Sequence, residues 1–159
     1  MKEINLTTKI RVYPIDECTD TEKKLIDAAK SASHKAYTPY SNFKVGAALL
    51  LENGKMILGN NQENAAYPSG ICAERVAVFF ANANFPDQSV EAIAVAAYYK
   101  DEFTKDVISP CGACRQVLLE VENRYNKPMK VLLYRGNDEV YQIDSIKDLI
   151  PLSFGEDML

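Results

Sequence analysis

The stretch VEAIAVAAYY, residues 90–99, is apolar almost throughout and has the length and composition of a buried strand. Such a strand needs cover on its faces, which in a single α/β domain comes from helices. The chain supplies helix-like segments immediately before and after it. Residues 72–84 have helical periodicity, with Val76, Phe79, Phe80 and Ala83 sharing the apolar face. Residues 111–124 repeat the pattern with Val117, Leu118 and Val121. Each helix opens on a cysteine, Cys72 in GICAERVAVFF and Cys111 in SPCGACRQVLL.

The remaining segments extend this core in both directions. TDTEKKLIDAAKSASHKAY reads as a helix: Thr19 and Glu22 have capping-box spacing, Leu25, Ala29, Ala32 and Ala36 form one stripe, and Pro39 stops it. FKVGAALLLENGKMILGN reads as a hairpin about Asn53-Gly54. KVLLYRGNDEVYQID reads as two strands about Gly136-Asn137, a connection too short for a parallel crossover, so these last two strands are expected to be antiparallel. SIKDLI reads as a short closing helix, and residues 1–18 as a loose N-terminal arm. The order α-β-β-α-β-α-β-β-α predicts one α/β domain over residues 1–159, a three-layer α/β/α sandwich around a five-stranded mixed sheet.

The bulk properties narrow the function. The 159 residues are 47% hydrophobic and 25% charged, as in one globular domain with its own core. A net charge of -4 and no basic run beyond Lys23-Lys24 give nucleic acid no evident electrostatic footprint. No segment approaches the roughly 18 apolar residues of a membrane span, and MKEINLTTKI lacks the apolar core of a signal peptide. The expectation is a cytoplasmic protein, with neither nucleic acid nor membrane as partner. Its cysteines, Cys18, Cys72, Cys111 and Cys114, are then expected to be reduced.

In a reducing compartment, closely spaced cysteines favour metal or redox chemistry over disulfides. The free N–H groups and dipole at a helix N-terminus stabilise thiolates. Two such helix ends facing each other would gather Cys72, Cys111 and Cys114 around one ion, and Zn²⁺ suits thiolate donors in tetrahedral array. The single histidine, His34, belongs to an amphipathic helix, and Cys18 to the arm. Three ligands leave an open position, the mark of a catalytic zinc site that activates water. Glu74 lies two residues past Cys72 and could move that water's proton without ligating the metal. Arg75 is the candidate to offset the charge of three thiolates. Taken singly, these residues have plainer explanations. C-x-x-C also fits a redox pair or half of a structural zinc site, Glu74 a first-turn glutamate, and Arg75 a surface ion-pair partner. Their coincidence favours the catalytic centre: C-x-E, then P-C-x-x-C, each opening a helix, with a strand between.

This pattern resembles the small homotetrameric cytidine deaminases, zinc-dependent enzymes whose signature is H-x-E or C-x-E followed by P-C-x-x-C. Cys72-Ala73-Glu74 and Pro110-Cys111-Gly112-Ala113-Cys114 match it. PYSNFKVGAAL, NQENAAYPSGICAER, SPCGACRQVLLE and PLSFGEDM extend the likeness over residues 21–159. The resemblance implies one Zn²⁺ per subunit on Cys72, Cys111 and Cys114. It implies hydrolytic deamination of cytidine and 2'-deoxycytidine, giving uridine or 2'-deoxyuridine and ammonia, in pyrimidine salvage. Glu74 would protonate N3 of the pyrimidine and then the departing amine. Asn61 and Glu63 would hold the sugar hydroxyls, and Phe43 and Tyr67 would lie at the base pocket. The backbone N–H of Ala73 and carbonyl of Ser109 would read the base edge. Phe154 would reach a neighbouring subunit's site, so that a homotetramer shares its sites.

The chain departs from that pattern at Gln62, where the family has an apolar residue, and at Asn60, where it often has cysteine. Its tail also lacks a proline between Gly155 and Glu156. These departures bear on pocket shape and subunit packing. The competing expectations are a deaminase of another cytosine nucleoside such as blasticidin S, a non-catalytic module stabilised by zinc with a fourth ligand, and a thiol redox protein.

Overall fold

The computed structural model describes the backbone of residues 1–159 and every side chain except that of Asp157. In chain order the elements are β1 (Arg11–Pro14), α1 (Asp20–Ser33), β2 (Lys44–Leu51), β3 (Met56–Asn60), α2 (Ala73–Asn84), β4 (Val90–Tyr99), β5 (Glu102–Phe103), α3 (Gly112–Tyr125), β6 (Lys130–Arg135) and β7 (Glu139–Ile143). The strands form one mixed sheet in the order β1-β7-β6-β4-β2-β3, with β5 paired to β4. The apolar strand β4 lies at its centre, antiparallel to β2 and parallel to β6, with α3 as the crossover between β4 and β6. As expected, β6 and β7 are antiparallel neighbours.

The sheet has seven strands, not five. One addition is β1, drawn from the arm read as loose, which pairs with β7 from Arg11↔Gln142 to Pro14↔Glu139. Its partner lies at the far end of the chain, so the pairing leaves no local signature. The other is β5, where Lys100 and Asp101 turn at positive φ and return Phe103 against Tyr98. The closing SIKDLI segment is a 3-10 turn over Ile146–Leu149 rather than an α-helix.

Alternation along β4 builds the three layers. Ala92, Ala94 and Ala96 face α1 through Leu25, Ile26 and Ala29, while Ile93 and Val95 face Ala77 and Val78 of α2 and Leu118 and Leu119 of α3. The capping box of α1 is formed, with Thr19 N–H donating to Glu22 Oε2 at 2.9 Å and Glu22 N–H to Thr19 Oγ1 at 3.3 Å. The helix ends at Ser33, well before Pro39, with His34 as its C-cap. Cys18, read as part of the loose arm, is buried against α1 and Leu132.

The apolar face of α2 is the reverse of the one its large residues indicate. Ala73, Ala77, Val78 and Ala81 turn to the sheet, and Phe79 and Phe80 remain 47% and 53% exposed. Gly59 explains the choice: a Cβ there would collide with the backbone of Ala73 and come within 2.6 Å of Ala77 N. With α2 lying that close to β3, only small side chains fit between them.

Candidate metal centre and active site

Two helix starts and the strand between them assemble the cysteines. Cys72 is the N-cap of α2 and Cys111 the N-cap of α3, both with extended backbone and neither side chain bonded to its own helix end. Cys114 sits in the first turn of α3. The three Sγ atoms all lie within 4.8 Å of one another, with Cys72–Cys111 at 3.9 Å and Cys111–Cys114 at 3.5 Å. All three are free thiols. Thiolates at about 2.3 Å from a tetrahedral zinc stand about 3.8 Å apart, so the cluster has the spacing as well as the donor chemistry for that ion. The fourth cysteine, Cys18, and His34 are not among the clustered residues.

Without a metal the thiols share protons. The hydrogen bond from Cys114, helped by Arg75 and Cys111, pulls the Cys72 thiol down to about 5, and the same bond pushes Cys114 up. A cation binding there takes the place of those protons. Arg75 holds Nη2 at 3.9 Å from Cys72 Sγ. Its Nε is buried with no hydrogen-bond acceptor among the described residues. Glu74, only 4% exposed, points away from solvent in the first turn of α2. Burial first, and then the negative charge of Cys72, push its carboxyl above the ordinary range. A carboxyl in that state holds a proton more readily than an exposed glutamate does.

A cavity of about 540 Å³ opens beside Cys72 and Arg75. Asn61, Glu63 and Tyr67 from the expected set line it. Asn61 is fixed at both ends of its amide: Nδ2 donates to Phe43 O at 2.9 Å and Oδ1 accepts from Val45 N–H at 2.8 Å. The Glu63 carboxylate accepts from Tyr40 N–H at 2.9 Å, from Ser41 N–H at 3.3 Å and from the Ser41 hydroxyl. The Ser41 hydroxyl bond foremost, then that of Tyr40, holds Glu63 below the usual carboxylate range. Tyr67 stands at the rim, 80% exposed. Phe43 is half-buried against the Tyr99 ring at 5.6 Å and lies outside the lining set, as do Ala73, Ser109 and Phe154. The N–H of Ala73, at the first position of α2, has no intrahelical acceptor. Phe154 is exposed, its carbonyl accepting from Gln116 Nε2 at 3.0 Å.

The two departures in the asparagine loop belong together: Gln62 Nε2 donates to Asn60 Oδ1 at 2.5 Å. The sequence reading missed Ser41, which joins Glu63 to the Phe43 N–H, and Arg115, whose guanidinium holds the loop before Cys111. A serine in a turn or an arginine after C-x-x-C carries no signal of backbone partners.

Three soft donors on two helix starts, a buried carboxyl beside them and an α/β/α sheet define a zinc hydrolase of the deaminase class. Residues 19–126 match the family described as the cytidine and deoxycytidylate deaminase zinc-binding region, and the chain belongs to it. A cytidine deaminase of Halalkalibacterium halodurans is 43% identical over 137 residues, 84% of this chain and 95% of that protein. One from Sporosarcina psychrophila is 41% identical over 137 residues, 86% of this chain and 93% of that protein. The crystal structure of cytidine deaminase from Burkholderia pseudomallei superposes with a TM-score of 0.72 at 44% identity, covering 86% of this chain and all of that one.

Proposed function

We propose that this protein is a zinc-dependent hydrolase that deaminates cytidine and 2'-deoxycytidine, releasing ammonia and the corresponding uridine. The observation that carries the reading is the convergence of Cys72, Cys111 and Cys114 with buried Glu74 two residues on. Cys72, Cys111 and Cys114 would hold the ion, and zinc bound there would supply the Lewis acidity that makes water a nucleophile near neutral pH. Glu74 moves two protons, one from the attacking water to N3 of the pyrimidine and a second, from the hydroxyl that water leaves on C4, to the departing amine. Its burial favours this role, because removal from water makes the carboxylate a stronger proton acceptor. Arg75 offsets the thiolate charge beside Cys72.

Asn61 and Glu63, both pinned to the 40–45 segment, present an amide and a carboxylate to the sugar hydroxyls. The carboxylate also disfavours a phosphate on that sugar. Phe43 and Tyr67 flank the base, and the Ala73 N–H and Ser109 carbonyl read its edge. The intact Asn61–Glu63 pair favours an ordinary ribose over the modified sugar of blasticidin S. The family membership speaks against the redox module, and the absence, among the described residues, of a fourth Cys, His, Asp or Glu from the cluster speaks against a purely structural zinc.

The outward face of α2, with Val76, Phe79, Phe80 and Ala83, supports assembly into a homotetramer in which Phe154 completes a neighbour's site. A reducing, cytoplasmic setting would keep the site's thiols available to the metal, and a nucleoside deaminase has its place there in pyrimidine salvage. Among the described residues no helix is long and apolar enough to cross a membrane. Incubation of the zinc-loaded protein with cytidine, following uridine and ammonia together, tests the reading, and it fails if neither product appears.

A further inference from the structure

We propose that Arg115 is a positioning residue that holds the Ser109-Pro110 loop and the C-terminal tail in one register across the first turn of α3. The proposal rests on the site reading above, in which that loop offers the Ser109 carbonyl and the tail carries Phe154. All three nitrogens of the Arg115 guanidinium are engaged. Nε donates to Pro110 O at 2.7 Å, Nη2 to Ser109 Oγ at 3.0 Å and Nη1 to Leu149 O at 2.8 Å. The first two bonds fix the residues directly before Cys111. The third fixes the root of the tail.

The same face of α3 grips the other end of that root. Glu122 lies two turns along the helix and is buried. Its carboxylate accepts from Ser145 Oγ at 2.5 Å, from Ile146 N–H at 3.0 Å and from Met129 N–H at 2.9 Å. Gln116 then secures the Phe154 carbonyl at 3.0 Å. Three side chains of α3 thus strap down the segment from Ser145 to Phe154. Of the three, Arg115 is the one bonded to the loop before Cys111 as well. A guanidinium is a rigid planar fork with donors in fixed directions, so it sets the relative position of its acceptors. Lysine keeps the charge but offers a single flexible point. Cys72 and Cys111 are the N-caps of α2 and α3 and Cys114 lies within α3, so the helices rather than the clasp carry the thiols.

The zinc-loaded Arg115→Lys and Arg115→Gln variants test this beside the wild type. Zinc stoichiometry is expected to be unchanged. KM for cytidine is expected to rise about tenfold while kcat changes by less than about twofold, the pattern of lost ground-state and transition-state binding alike. Lysine is expected not to rescue. Hydrogen exchange is expected to quicken at Ser109 and in residues 149–154 together, with the core of the sheet unchanged. A merely stabilising role lowers the active fraction instead, so kcat falls and KM stays, which overturns the proposal. Rescue by lysine, or faster exchange in one segment only, overturns it too. Should Arg115→Gln fail to fold, Arg115→Lys supplies both measurements. If wild-type protein does not deaminate cytidine, the site reading fails, while the exchange experiment still decides whether the clasp exists.

Discussion

Glu74 shows how position decides the chemistry of one side chain. A glutamate in the first turn of a helix is normally exposed and ionised, favoured by the dipole. Here it is enclosed beside a thiol that ionises readily, and both surroundings oppose its charge. Glu74→Gln keeps the shape and removes the proton carrier proposed above. It is expected to retain zinc and far-UV circular dichroism while kcat/KM falls by at least about a hundredfold. Activity near wild type would remove Glu74 from the mechanism. The three cysteines and Glu74 were legible in the sequence because side-chain donors at helix starts leave a spacing. Arg115 and Ser41 were not, because much of what they hold is main chain, which any sequence provides.

At the scale of elements, α2 carries two of the site's residues and depends on how closely it lies on β3. Gly59→Ala inserts a methyl group against the Ala73 and Ala77 backbone, and relief requires the helix to lift. The expected cost is about 1–3 kcal/mol in denaturant unfolding, with weaker zinc retention because Cys72 moves with the helix. Unchanged stability and metal content would show that the contact yields freely. The start of α1 makes a separate, pH-dependent contribution. Burial alone would raise the Glu22 carboxyl, but bonds from Lys130 and Thr19 outweigh it and leave the group below its ordinary range. A depressed carboxylate stabilises the fold above its unfolded pKa and loses that contribution as pH falls through the folded value. Glu22→Gln is therefore expected to flatten the acid side of the stability curve, below about pH 5, in urea unfolding series. The capping box and the Asn53-Gly54 hairpin could be read from sequence because each is local. The buried face of α2 could not, since both stripes have helical period and the larger side chains belong to the outward one.

For the whole molecule, the outward Phe79 and Phe80 are the most conspicuous apolar surface on a helix that otherwise serves the site. Phe80→Glu leaves the sheet-facing alanines untouched. It is expected to reduce the particle size measured by light scattering while helix content stays the same. A variant of undiminished size would place the subunit contact elsewhere. The three-layer arrangement was legible, because the apolar strand flanked by helices admits few alternatives. The seventh strand at the edge was not: β1 is short, contains a proline and meets a partner some 130 residues downstream. That separation also orders events during synthesis. Residues 11–14 leave the ribosome well before their partners at 139–142, so the α1–β2–β3 portion has time to collapse before the outer margin of the sheet is sealed.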